Sequence, residues 1–373
     1  MALKKERRVE EVKQEVVVNS DGSATIDATK AKLVGKRKLF TLPQWGVAWL
    51  VLIPALIFII LFMLYPIINT FLYAFVQDFT YVPGGGTFAL GQFVADSTLG
   101  GQQASFGFNN FVEVMQNKVF LHSIRNTAEL VIIEVPLTIL ISLLIATFLN
   151  SIKVLKGFYQ TIFFLPYVTN TIALGLVFNI VFQRGDGGLM NIILHNVFGI
   201  DPINWLSADK IGDVGPATRF HQAVVIVAYS VWTGLAFKIL VFMSGLATID
   251  KQYYDAAKID GSSSFTIWRR ITLPLLSPQI LYITITSFIG SFKMYTGVMA
   301  VYQGVNANAY YFGPSQTLAD GEEWMPVVGW IYRELTQHYT KPGISSAASL
   351  VLLAIIMVIT AVQFAVSKKR VHY

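Results

Sequence analysis

Three ionisable side chains stand out because they lie well inside the ends of long apolar runs: Glu134, Lys238 and Lys293. A charge at the centre of a membrane helix costs at least ~2.5 kcal/mol, so each requires a partner, a water-filled cavity or a function. A buried carboxylate could carry a proton or an ion, and a buried ammonium could meet an anion. Other chemistries lack their groups. With no cysteine among 373 residues, disulfides, iron–sulfur clusters and thiolate zinc sites are excluded. The five histidines (His122, His195, His221, His338 and His372) are scattered, and no GxxxxGK[ST] phosphate loop occurs.

The elements that must hold these charges are membrane helices. The chain is 54% hydrophobic and only 13% charged, with mean hydropathy +0.55, against about 25% charged residues in soluble domains. An ordinary soluble enzyme is therefore not expected. A bilayer core needs about 20 apolar residues in a helix, and six runs supply them, near 45–76, 123–149, 158–182, 221–246, 279–301 and 347–367. The first is longer than one crossing requires, with Pro54 and Pro66 placed to kink or end it. Because residues 1–40 are polar and charged, it reads as a retained helix rather than a signal peptide. Pro136 and Pro166 are expected to kink spans two and three, and Asn170 and Asn179 to make helix-to-helix hydrogen bonds.

Charge sets the orientation. With the N-terminus inside, nineteen of the 28 Lys and Arg residues fall in inside segments and six outside, leaving Arg125, Lys238 and Lys293 within spans. That bias places both termini in the cytoplasm. Ten of the basic residues precede position 41, which points to a tail touching anionic lipid rather than to nucleic acid. The organisation expected is a disordered basic tail (1–40), a first membrane helix with an extracytoplasmic segment (41–122), and a core with five more helices (123–370). Long outside connections at 77–122, 183–220 and 302–346, with turn-rich stretches such as YVPGGGTF and YQGVNANAYYFGPSQ, could dock an external partner.

At ~1.5 Å per residue, Lys293 lies ~12 Å from the outer end of its span and Glu134 ~15 Å from the outer end of its own, so their depths match. Three placements of Lys293 compete: a buried pair with Glu134, a cavity-facing position meeting an acidic substrate, or snorkelling to water. Lys238 can reach the cytoplasmic interface more easily. Around these charges, span four carries Tyr229, Trp232, Thr233, Gly234 and Phe237, and span five carries Ser287, Gly290, Ser291, Met294 and Tyr295. Aromatic faces with hydroxyls suit sugar rings, although small residues also serve helix packing.

The 247–278 connection, ATIDKQYYDAAKIDGSSSFTIWRRITLPLLSP, is the most informative. Asp250 can cap a short helix, Gly261 can end it in a left-handed turn, and Ser263 or Ser264 can cap a second helix. Phe265, Trp268 and Ile271 then share one face that would root the unit on the membrane helices, while Ala256, Ala257 and Ser262 keep the approach surface small. The product is a rigid knob.

These residues carry a resemblance. Asp255-Ala256-Ala257, Asp260-Gly261, Phe265, Trp268 and Ile271-Thr272-Leu273-Pro274 resemble the EAA loop of permease subunits in bacterial binding-protein-dependent ABC importers, most of all the sugar permeases of the MalF type. The likeness covers about 123–370. Asp255 stands where the family has glutamate and Ser262 where it has alanine.

The resemblance implies an all-α polytopic membrane protein, with the six transmembrane helices of a type I importer permease, in the bacterial inner membrane. It implies no enzyme and no cofactor in this chain, ATP and Mg²⁺ belonging to two ATP-binding cassette subunits. Asp255, Ala256, Ala257, Asp260, Gly261, Ser262 and Phe265 would sit in their groove. A second homologous permease, an extracytoplasmic solute-binding protein and membrane lipid are the other implied partners. The substrate would be an oligosaccharide, met by similarity at Gly234, Phe237, Ser287, Gly290, Ser291 and Met294, while the reading of the spans themselves adds Trp232 and, for an acidic sugar, Lys293. The alternative is a proton- or ion-coupled secondary transporter working through Glu134.

Overall fold

The computed structural model describes residues 16–18, 24–26, 44–77, 105–152, 155–183, 185–206, 216–303, 324–337 and 342–367. Most of the basic tail and much of the three long connections, including YVPGGGTF, lie outside the described residues. The chain divides into two units, Met1–Leu64 and Tyr65–Tyr373.

In the first unit, β1 (Val16–Val18) and β2 (Ala24–Ile26) pair antiparallel, with Val16 opposite Ile26 and Val18 opposite Ala24. That hairpin is a difference from the structureless tail expected. Its signal was present as Asp21-Gly22 between two β-prone triplets. Helix α1 (Gln44–Ile59) follows and continues as a π-helical turn, Ile60–Leu64, without stopping at Pro54. Its described side chains are apolar and almost all exposed, as a lipid-facing helix requires.

The second unit begins with α2 (Tyr65–Phe75) and a two-residue β3 (Val76–Gln77), which pairs with β4 (Ser105–Phe106). Helix α3 (Asn109–Gln116) leads into α4 (Lys118–Ser151), which Asn117 caps by accepting the Phe120 N–H at 3.0 Å. At 34 residues, α4 is about 50 Å long and runs through Pro136 without a break. The third span is broken. Helices α5 (Lys156–Val168) and α6 (Thr171–Val181) meet at 99°, just after Pro166, and Asn170 caps α6 by accepting the N–H groups of Ile172 and Ala173. Asn170 is thus a helix cap rather than the interhelical bond expected of it. Asn179 does bond across helices, donating to the Val301 carbonyl at 2.7 Å.

After α7 (Leu189–Phe198), the 33-residue α8 (Pro216–Thr248) packs along α4. Next come α9 (Lys251–Ile259), α10 (Ser264–Ile267), a π-helical Trp268–Thr272 and α11 (Leu273–Leu275). Here the chain turns by 66° into α12 (Ser277–Phe292). The fifth run does not continue as one helix. It stops at Lys293 and restarts as α13 (Thr296–Gln303), because the N–H groups of Lys293 and Met294 bond the carbonyls of Gly290 and Ser291, three residues back, and tighten the last turn. Helices α14 (Val327–Gln337) and α15 (Pro342–Ser367) complete the described chain. By length and composition four described helices can cross a membrane, or six when each bent pair counts as one span.

Four apolar clusters among the described residues hold this unit, two of them larger than the others. One joins α2, α3, α4, α14 and α15 around Phe120, Trp330 and Ala347; the other joins α4, α8 and α12 around Leu149, Phe242 and Ile283. Lipid is as apolar as leucine, so polar bonds and close approach must add specificity. Asn110 supplies three carbonyl bonds to the end of α2 and the start of β3, and Asn191 ties Gly185, Ile203 and Trp205 together. Gly175 of α6 lies where a Cβ would come 2.5 Å from that of Ala300 on α13, so these two helices touch nearly backbone to backbone.

Candidate functional site

Both broken spans open onto one cavity of about 560 Å³ in the second unit. Glu134 of α4, Tyr167 of α5, Thr171 of α6, one face of α8 and the α12–α13 break line it. Of the residues expected from sequence, Gly234, Phe237, Ser287, Gly290, Ser291, Lys293 and Met294 lie on its wall. Trp232 does not. At 100° per residue it points about 150° away from the face formed by Ser230, Thr233, Gly234 and Phe237, which leaves it off this cavity.

Polar contacts fix the wall. Ser291 Oγ donates to Glu134 Oε2 at 2.8 Å, and the Lys238 ammonium is close enough to act electrostatically on the same carboxylate. Glu134 and Lys238 are only 5% and 7% exposed. The partner of Glu134 is therefore Ser291 with Lys238, not Lys293. A Cβ on Gly234 would fall 2.8 Å from Lys238 Nζ, so the missing side chain leaves the space that the ammonium fills. Lys238 curls along its own helix instead of reaching the interface. Lys293 sits exposed in the turn that ends α12, and two residues along a helix end do not face the same way.

Aromatic groups complete the wall. Tyr167 stacks on Phe237 at 6.3 Å between ring centres, Tyr229 donates to the Thr171 carbonyl at 3.0 Å, and Ser230 Oγ lies 3.2 Å from Met294 Sδ. Sequence reasoning did not find Tyr167, Thr171, Thr286, Thr296 or Gly297 on this surface. The available signal was Pro166 with Asn170, a helix breaker followed by a cap.

The second feature is the knob. Asp250 caps α9 by accepting the Gln252 N–H at 3.0 Å, and Gly261 takes φ +71°. The Ser262 N–H bonds the Ala257 carbonyl and the Gly261 N–H bonds that of Lys258, each at 3.0 Å, which closes a Schellman motif. Ser263 caps α10. Trp268 roots the unit through its indole N–H to Thr147 Oγ1 at 3.3 Å and by packing on the α4–α8–α12 core.

Phe265 does not root the unit. It is 67% exposed and stacks on the outer side of Trp268, while Ile267 takes the buried position. Asp255, Ala256, Asp260 and Gly261 are exposed and Ser262 is half-buried. Ala257 is buried, so only its neighbour Ala256 offers a small surface to an approaching molecule. Ile259 projects at 86% exposure beside Gly261.

Known proteins share both sequence and fold. The chain is 27% identical over 338 residues to the arabinooligosaccharide transport system permease AraP of Bacillus subtilis, a match covering 90% of this chain and 93% of AraP. It is 27% identical to the lactose transport system permease LacF of Rhizobium radiobacter, over 86% of this chain and 94% of LacF. A chain of a bacterial alginate ABC transporter, crystallised with an alginate pentasaccharide-bound periplasmic protein, superposes with a TM-score of 0.65 at 19% identity. That match covers 87% of this chain and 94% of the other. The fold is thus that of an ABC importer permease. The family offers no support for ion coupling through Glu134, whose carboxylate is engaged by Ser291 and Lys238. The family model matching residues 138–372 spans more than half of the sequence, and the chain belongs to the binding-protein-dependent transport system inner membrane components.

Proposed function

We propose that this chain forms one half of the translocation path of an ATP-driven importer for an oligosaccharide. A solute-binding protein delivers the sugar, a homologous permease supplies the other half of the path, and two ATPase subunits holding ATP and Mg²⁺ drive it. Both termini and the knob face the cytoplasm, in keeping with the Lys and Arg distribution. Names of relatives that carry arabinooligosaccharides and lactose support the substrate class. The observation that carries the reading is the capped helix, Gly261 turn and capped helix that present Ala256, Ile259 and Phe265 outward while Trp268 anchors them to α4. Closure of the ATPases on that knob moves α4, α8 and α12 together, because their shared core meets the anchor.

Gly261→Val tests it. No atom lies within 4 Å of a Cβ there, so the change adds only backbone strain, about 1–2 kcal/mol at positive φ. The expected outcome in the purified assembly is loss of ATP-dependent sugar uptake with the chain still in the membrane. Uptake that persists without bound ATPase would overturn the proposal.

A further inference from the structure

The cavity holds two ammonium groups and one carboxylate, and their pairing is unequal. Lys238 is buried beside Glu134 and electrostatically coupled to it, and Ser291 completes the shell of that carboxylate. Lys293 has no ion pair among the described residues and stands exposed on the wall. Its backbone N–H is bonded to the Gly290 carbonyl at 3.0 Å, so the turn fixes the main chain from which the side chain projects. The irregular turn also starts α13 at Thr296, and the first turn of a helix adds partial positive charge on the same wall. Ionisable residues within membrane spans face the bundle interior or a water-filled cavity and mark substrate paths, and among the described residues no carboxylate pairs with Lys293.

Resting on the importer reading above, we propose that Lys293 is an anion-recognition residue and that the imported saccharide carries a negative group. Phe237 and Tyr167 offer flat faces for the sugar rings, while Lys293 and the start of α13 meet the charge. The negative group can be a uronate carboxylate or a sugar phosphate. A cavity of about 560 Å³ lies in the ~300–1,000 Å³ range of sites for drug-sized ligands and suits linked rings, which favours an oligouronate over a single sugar phosphate. The Glu134 carboxylate accepts the Ser291 hydroxyl and is opposed by the charge of Lys238, which offsets its repulsion of an anion.

The test uses the complete assembly, with its own binding protein, reconstituted in proteoliposomes. ATP-dependent uptake is measured for oligouronates, their neutral methyl esters, neutral oligosaccharides from arabinan and starch, and a hexose phosphate. Oligouronates should be carried at least tenfold faster than their esters. Lys293→Met should remove most of that difference and Lys293→Arg should keep it, with the loss of acidic uptake in Lys293→Met several-fold larger than any loss of neutral uptake. Preference for the hexose phosphate, abolished by Lys293→Met, would support anion recognition and replace the carboxylate by a phosphate. Preference of the wild type for neutral sugars, or equal loss of acidic and neutral uptake in Lys293→Met, would overturn the proposal while leaving the importer intact. A wild-type assembly moving none of these probes with ATP would instead count against the importer reading.

Discussion

Glu134 organises the cavity wall, since it receives the Ser291 hydroxyl and balances Lys238. Replacing it by alanine strands a buried ammonium, a change costing on the order of 3 kcal/mol. Thermal melting of the purified assembly should therefore fall clearly for Glu134→Ala. Glu134→Gln together with Lys238→Met should melt closer to wild type, because it leaves neither charge alone. Equal melting of Glu134→Ala and wild type would show that water, not Glu134, satisfies Lys238. At the knob, two adjacent alanines should behave oppositely. Ala256→Trp adds bulk to an exposed surface, so it should block ATP-driven uptake at unchanged stability. Ala257→Trp overfills a buried site and should lower stability by about 1–3 kcal/mol.

At the scale of elements, the two broken spans matter more than the unbroken ones. Each break ends one helix and begins another at the cavity, and the second halves, α6 and α13, pack on each other through Gly175, Gly297 and Ala300. Gly175→Leu must displace Ala300 and the backbone of α13, so a loss of about 1–3 kcal/mol and a distorted cavity are expected. Gly290→Ala meets no atom within 4 Å and should leave melting unchanged, adding only a methyl group to the cavity wall. Sugar uptake and melting measured side by side separate the two cases. Similar melting of both variants would show that α6 and α13 do not depend on this close approach.

For the whole molecule, orientation is the remaining link between the knob and its proposed motor. The absence of native cysteine makes single thiols clean reporters. Asp260→Cys should react with an impermeant maleimide only in inside-out vesicles, and Glu113→Cys on α3 only in intact spheroplasts; the reverse pattern would invert the topology.

Much of this architecture was legible in the sequence, because span length, Lys and Arg bias and helix caps are local properties read within a few residues. The Asp250 cap, the Gly261 turn and the Ser263 cap all follow from such rules, as do the six apolar runs. Tertiary structure alone decided which polar groups meet, since Glu134 and Ser291 are 157 residues apart and only the packing of α4 against α12 joins them. It likewise turned Trp232 away from the cavity and Phe265 away from the membrane helices. Side-chain direction depends on where a helix breaks and which neighbour it packs on, and neither is written in the spacing of residues along one helix.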